Sequence, residues 1–429
     1  MPTSNTGRFA EPAPALVNRA RAEAVMQANG LAALIGATYK NLYYLSGHMP
    51  DSVLGNFADV TAAAILPAGS DAPPALCASD YDLAYLTTRP TWMPELRMFS
   101  AKTRSSAAYL LEMISQGIGI ETELRDPMRR LFQETRPTAQ EDLVAAIVSY
   151  IGDALPAGPI RLGFDDLRLG AQVAAKLPGR VEVVDALHLF RQVRMVKTAP
   201  ELALLREASA INDQAVRDAA AATLEGRPIY AMVDAYRASV VRQGARFLGE
   251  RGMMFGAGPD GGFVLDNGYA ERRRLVAGDI IVYDAIGTWK LYHMDIARTG
   301  VIGAPSTRLL ELHDAVSEAL AAAESKLRAG AHTRDCAEVA RDVLVARGLR
   351  PDLTTMMFHG IGLDVLEFAQ PSHKTEGWTL EADMAINFEV FHRDPTVGGV
   401  HLEDTVRVTP TGIEHFTTLP REVIVRPAA

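Results

Sequence analysis

The chain has 429 residues, a formal net charge of −9 and 48% hydrophobic positions. That length exceeds what one ordinary core organises and predicts two domains. The acidic balance excludes an extended nucleic-acid surface, which needs clustered Lys and Arg, and two isolated cysteines, Cys77 and Cys336, exclude a disulfide framework or a thiolate zinc site.

Residues 1–14 carry no basic-then-apolar leader pattern and no apolar run reaches membrane-spanning length, so a cytoplasmic protein without membrane contact is expected. A helix ending near Asn29 and Gly30 leads into the short apolar strand 31–35. Further strands are predicted at 61–66, 74–78, 160–164 and 181–184, with helices at 107–115 and 140–151 and a connection at 67–74. This alternation predicts an α/β domain over residues 1–190. The boundary falls within 188–197, and residues 191–429 form the second domain. There, Thr198-Ala-Pro-Glu201 has the form of a helix start with a capping box, followed by Leu204, Leu205, Ala208, Ile211 and Ala215 at helical spacing. Helices at 307–328 and 334–347 alternate with strand pairs, which predicts an α+β domain.

Those strand pairs carry unusual acids. Asp284 ends the apolar strand 278–284, and Asp295 lies in a second strand, 291–295. The intervening Gly287-Thr-Trp-Lys290 supplies a reversal, so a hairpin is expected to bring the carboxylates together. Singly, a strand aspartate has an ordinary explanation as a strand end or a surface ion pair. In 384–391 the period of two places Met384, Ile386 and Phe388 on one face and Asn387 and Glu389 on the other. In 400–408 Glu403 shares its face with His401, Thr405 and Arg407, and Asp394-Pro395 with Gly398-Gly399 makes a second hairpin. His359 follows an apolar stretch and precedes Gly360 and Gly362, glycines that signal close backbone packing. Alone, such a histidine is more often a satisfied core residue than a ligand. Four crowded carboxylates repel one another unless cations neutralise them. Carboxylate and imidazole donors without thiolate suit Mn, Fe(II), Co or Zn. Two such ions roughly 3.5–4 Å apart are a standard device for activating water.

At these residues the chain resembles the pita-bread metallohydrolases, the family of methionine aminopeptidase, aminopeptidase P, prolidase and creatinase. Residues 41–47, Asn-Leu-Tyr-Tyr-Leu-Ser-Gly, are similar to the family's N-terminal-domain motif, and Arg194-Met-Val-Lys197 with Glu201 to the opening of its catalytic domain. Asp279 to Asp284, Asp295-Ile-Ala-Arg-Thr299, His359-Gly-Ile-Gly-Leu363, Glu389 and Glu403-Asp404 follow in the family's order. The resemblance implies a smaller α/β creatinase-type N-terminal domain before an α+β pita-bread catalytic domain. It implies two divalent metal ions, manganese first among them, held by Asp284, Asp295, His359, Glu389 and Glu403, with Glu389 also the proton carrier. It also implies a homodimer and a small-molecule or dipeptide-like substrate cleaved at a C–N bond.

Several positions depart from the prolidase pattern. Histidines of those relatives are replaced by Asn267, Leu366 and Thr355, and an arginine by His401. Phe358 precedes the ligand histidine, and Val390-Phe391 stands where Pro-Gly is usual. The metal-binding residues are kept while those that shuttle protons and hold a peptide are changed. His293, on the expected face of Asp295, and His401, beside Glu403, are the catalytic candidates for the missing proton transfer, each also readable as a structural histidine. The expected function is a metal-dependent hydrolase with a non-standard substrate. The alternatives are a lyase or amidine-cleaving variant, like the dimethylsulfoniopropionate lyase, ectoine hydrolase or creatinase branches, and a non-catalytic binding module. The lyase branch has a further aspartate where this chain has Ile286, and retention of every ligand position argues against a binding module. Tyr43, Tyr44, His48 and Trp92 are candidates for pocket lining, each equally readable as core or surface.

Overall fold

The computed structural model describes residues 11–49, 61–100, 106–119, 122–247, 253–262, 272–368 and 376–428. Asn267 lies outside the described residues. The chain forms two compact units, Met1–Val193 and Arg194–Ala429.

In the first unit the helix Arg19–Asn29 stops at Gly30, whose φ of 62° suits glycine in the left-handed region, and the chain turns into β1 (Ala33–Gly36). β1 pairs antiparallel with β2 (Ala63–Pro67) and parallel with β5 (Ile160–Phe164). With β3 (Ala75–Ser79), β4 (Glu95–Phe99) and β6 (Val181–Asp185) they make a sheet ordered β4-β3-β2-β1-β5-β6. The helix Leu143–Ala154 covers it, packing Ile147, Tyr150 and Ile151 with Ile35, Ile65, Cys77 and Phe164. The motif at 41–47 has a structural occupation here. Asp165 accepts from the Ala37 amide at 2.8 Å and from Asn41 Nδ2 at 2.8 Å, pinning the start of the helix Tyr39–Ser46 to the end of β5. Tyr44 is fully buried and its hydroxyl accepts from the Asn18 amide at 3.0 Å, which makes it a core residue.

The second unit is built on β7 (Arg246–Phe247), β8 (Met253–Ala257), β9 (Ile280–Trp289), β10 (Tyr292–Ile302), β11 (Thr354–Gly360), β12 (Ala385–Asp394), β13 (Gly398–Val408), β14 (Ile413–His415) and β15 (Ile424–Arg426). The main order is β11-β12-β13-β10-β9-β7, with β8 on β9, β14 on β13 and β15 on β10. All of these pairings are antiparallel except β10 with β15. Alternation along the strands decides which residues meet the helices. Ile281, Tyr283, Ala285, Met294 and Ile296 pack with the helices Ala199–Ala222 and Tyr230–Arg242. Ile386, Phe388, Val390, Leu402 and Val406 pack with Thr307–Glu324 and Thr333–Ala346. The intervening residues, including every expected metal ligand on these four strands, lie on the other sheet face. At the first helix Glu201 accepts from the Thr198 amide at 2.8 Å, the back-bond of the predicted capping box.

One expectation needs correction. Asp284 does not end its strand: β9 runs on to Trp289, and the reversal is at Lys290-Leu291, with φ of 47° and 69°. Two central residues with positive φ match the twist of a tight hairpin. Gly287 is mid-strand, where an added Cβ would meet the movable end of Met294 at 2.2 Å and the Arg246 carbonyl at 3.1 Å.

Candidate metal centre

Strand register alone assembles the centre. Asp284 on β9 pairs with Ala297 on β10, Ala297 with Glu403 on β13, and Glu403 with Glu389 on β12, so one row crosses four strands. In the adjacent row Asp295 pairs with Ile286, and Asn387 pairs with both Thr405 and His359. Residues in one row and at steps of two share a sheet face. The five expected ligands therefore share it with His401 and Asn387. Ala297, between Asp284 and Glu403, puts only a methyl into the row.

The side chains converge accordingly. His359 Nε2 is 3.1 Å from Glu403 Oε1 and 4.0 Å from Asp295 Oδ2. His401 Nε2 is 2.8 Å from Glu389 Oε2, and its Nδ1 is 3.8 Å from Asp284 Oδ2. Asp284, Asp295, His359, His401 and Glu403 are buried, while Glu389 is partly exposed. Burial, reinforced by Glu403 and Glu389 against the opposing pull of His401, pushes Asp284 up to about 8. Burial and the charges of Glu403, Asp284 and Glu389 carry Asp295 well above the carboxylate range. Burial pulls both imidazoles down, but the carboxylates outweigh it: Glu403 raises His359, and Glu389 with Asp284 raises His401. Burial also opposes ionisation of Glu389, yet its hydrogen bond with His401 holds it below its ordinary value.

Donor atoms of Asp295, His359 and Glu403 lie within 4.8 Å of one another, as do those of Glu389, His401 and Glu403. Glu403 is common to both groups. Asp295 Oδ1 and His401 Nδ1 are buried without a hydrogen-bond partner. Orphaned buried donors in an oxygen- and imidazole-rich set fit a divalent cation. A third acidic group, Glu324, Asp404 and His415, differs because Arg421 and Arg298 already neutralise it, at 2.6 and 2.7 Å from Asp404.

Residues 203–410 match the sequence model of metallopeptidase family M24. The second unit thus carries an M24 peptidase domain. It is 28% identical over 238 residues to the Xaa-Pro dipeptidase of Pyrococcus horikoshii, covering 55% of this chain and 66% of that protein. It is 31% identical over 245 residues to the probable dipeptidase PepE of Mycobacterium bovis, covering 57% of this chain and 64% of that protein, so these alignments span just under two thirds of each relative. Among solved structures, dipeptidase PepE from Mycobacterium ulcerans superposes with a TM-score of 0.66 at 26% identity, covering 95% of this chain and 97% of that one. The fold is therefore the M24 pita-bread domain preceded by an N-terminal domain.

Within this M24 unit a second set of residues holds the candidate ligands in place. Asn387 Nδ2 donates to Glu403 Oε1 at 2.9 Å, and the Thr405 hydroxyl lies 2.9 Å from Asn387 Oδ1. Arg298, fully buried, donates to the Glu403 carbonyl at 2.7 Å. Glu367 is 2.5 Å from Lys197 Nζ and 2.8 Å from Arg194 Nε, and its backbone bonds both ways with Gly360. The Arg194-to-Lys197 motif thus anchors the turn after His359. Gly360 is sterically required, since a Cβ there would lie 2.4 Å from the Glu367 carbonyl, and a Cβ at Gly362 would press on the Glu367 carboxylate and Lys197 Nζ at 2.7 and 2.8 Å. Sequence reasoning gave Glu367 no role, and a lone glutamate among apolar residues was its only signal. Arg298, inside a quoted motif, signalled itself as a cation within an apolar strand.

His293 and His401 part company. His401 enters the donor cluster, whereas His293 is outside both groups, with its amide donating to the Gly362 carbonyl at 2.7 Å and its Nδ1 3.0 Å from the same oxygen. Other departures serve packing: Phe358 stacks on Phe388 with centroids 4.1 Å apart, and Thr355 accepts from Arg393 at 2.8 Å. Leu366 is partly buried beside Glu367.

Proposed function

We propose that this chain is a dinuclear-metal hydrolase of a C–N bond, built on the Xaa-Pro dipeptidase plan but selective for a substrate other than a simple Xaa-Pro dipeptide. The observation that carries the reading is the pair of donor groups sharing Glu403, with the orphaned Asp295 Oδ1 beside them. Asp295, His359, Glu389 and Glu403 would hold one ion, and Asp284 with Asp295 and Glu403 the other, Mn, Co, Fe(II) or Zn being suited to such donors. Bound there, the ions supply Lewis acidity and a water activated at neutral pH.

The protein's own contribution is proton handling and orientation. Glu389 is the carboxylate of the cluster that stays partly exposed, and the His401 ring keeps it ionised. It is therefore placed to accept a proton from water and pass it to a leaving nitrogen, a role worth on the order of 10²–10⁴ in rate. His293, its Nδ1 3.0 Å from the Gly362 carbonyl, is the candidate for a second proton transfer.

Substrate selectivity is argued from what stands at Leu366 and His401. An apolar side chain and a buried imidazole replace a proton-shuttling histidine and a guanidinium that could grip a carboxylate in two places. We expect poor turnover of Ala-Pro and Gly-Pro and better turnover of a substrate with a more activated bond or no free carboxylate. The test is kcat/KM of the manganese-loaded enzyme on these dipeptides against N-acyl amino acids and cyclic amidines. A dipeptide value of roughly 10⁴ M⁻¹s⁻¹ or above, the ordinary enzyme range, would restore a plain prolidase.

A further inference from the structure

His401 belongs to the cluster but not to the five expected ligands, and its ring is held as firmly as theirs. It is 1% exposed. Its amide donates to Thr299 Oγ1 at 2.9 Å, and Phe391 stacks on the ring with centroids 4.6 Å apart and 16° between planes. The Arg393 guanidinium carbon lies 3.9 Å from the Phe391 centroid, over its ring. The ring cannot swing aside without opening these layers. Nε2 is engaged with Glu389 at 2.8 Å. Nδ1 is buried and unpartnered, facing Asp284 Oδ2 across 3.8 Å, a gap too long for a hydrogen bond.

We propose that His401 Nδ1 is a sixth metal ligand, acting with Asp284, an inference that rests on the two-ion centre proposed above. Two metal–donor bonds of about 2.0–2.2 Å bent at an ion can span the gap, so neither side chain needs to move. The other ring nitrogen then does what a metal-bound imidazole commonly does, giving its N–H to a carboxylate that fixes the ring, here Glu389. A proton-shuttling role for Nδ1 fits less well, because a shuttle exchanges protons with solvent and this atom is buried. The consequence is a change of metal preference. Each ion then carries one imidazole, His359 on one and the added His401 on the other, which favours Co(II), Fe(II) or Zn over Mn.

The test is X-ray absorption of the full-length chain loaded with cobalt(II), read beside the cobalt content. Wild type should bind two ions carrying two imidazoles between them, and His401→Ala should carry one and bind the second cobalt about tenfold more weakly or worse. His401→Arg should show the same imidazole loss, with circular dichroism reporting that the fold is kept. Two bound ions with a single imidazole in the wild type, or a count unchanged by either substitution, would overturn the inference and leave the two-ion centre standing. Fewer than two ions in the wild type would overturn both. The wild-type count decides the matter even if His401→Ala does not fold.

Discussion

Two hairpins build the centre, and they solve the same electrostatic problem differently. On the β9–β10 hairpin the acids are staggered: Asp284 faces Ala297 and Asp295 faces Ile286 across the strands. On the β12–β13 hairpin Glu389 faces Glu403 directly, an arrangement that is destabilising for like charges in a sheet. Yet it is the first hairpin whose acids are driven up the scale, Asp284 to about 8, while Glu389 on the second is held low. Register alone would predict the reverse. The difference is His401, whose ring lies 2.8 Å from Glu389 but 3.8 Å from Asp284. Which carboxylate stays charged is decided by the partner within hydrogen-bond reach.

The comparison can be broken by removing one acid from each hairpin. Asp295→Ala and Glu403→Ala should each abolish turnover, since each takes away a donor no neighbour replaces. Asp279→Ala is the control, because Asp279 is bonded to Arg273 at 2.6 Å and to the Val276 amide at 2.8 Å, a turn before β9. It should cost stability and leave the centre's activity measurable. Full activity in both Asp295→Ala and Glu403→Ala would end the proposal.

A smaller effect sharpens the contrast in pH. In the metal-free protein the folded state holds a proton on Asp284 up to about 8, whereas an unfolded aspartate loses it near its ordinary value of 3.8. Between these values the native state binds more protons than the unfolded one, so stability falls as pH rises toward 8. Glu389 works in the opposite sense, its contribution being lost as pH falls. The Tm of the chelator-treated protein should therefore decline from about pH 5 to about pH 8, and Asp284→Asn should flatten the decline. A metal-free Tm rising across that interval in wild type would reverse the assigned charges.

The alternation at 384–391 and 400–408 was legible because one face is apolar for packing against helices and the other is not, and period two survives in sequence. It put Asn387 with Glu389 on one face of their strand and His401 with Glu403 on one face of theirs, and the register of β12 with β13 joins the two into one face. The β9–β10 turn was not legible, because Lys290-Leu291 has no turn composition and Gly287 looked like the reversal while lying mid-strand. Strand β4 and the helix Leu83–Thr88 escaped notice for a related reason: both are short, and their patterns are mixed with charged or polar residues. Glu367 escaped because its partners, Arg194 and Lys197, are distant in sequence and its role exists only in three dimensions.

The most direct test of the two-ion centre is metal content rather than rate. Purified full-length chain, equilibrated with manganese or cobalt and dialysed, should retain two ions per chain by elemental analysis, since two donor groups meet at Glu403. Glu403→Ala, which removes the donor common to both groups, should retain close to none. A wild type that holds one ion or none, or a Glu403→Ala protein that still holds two, would contradict the account.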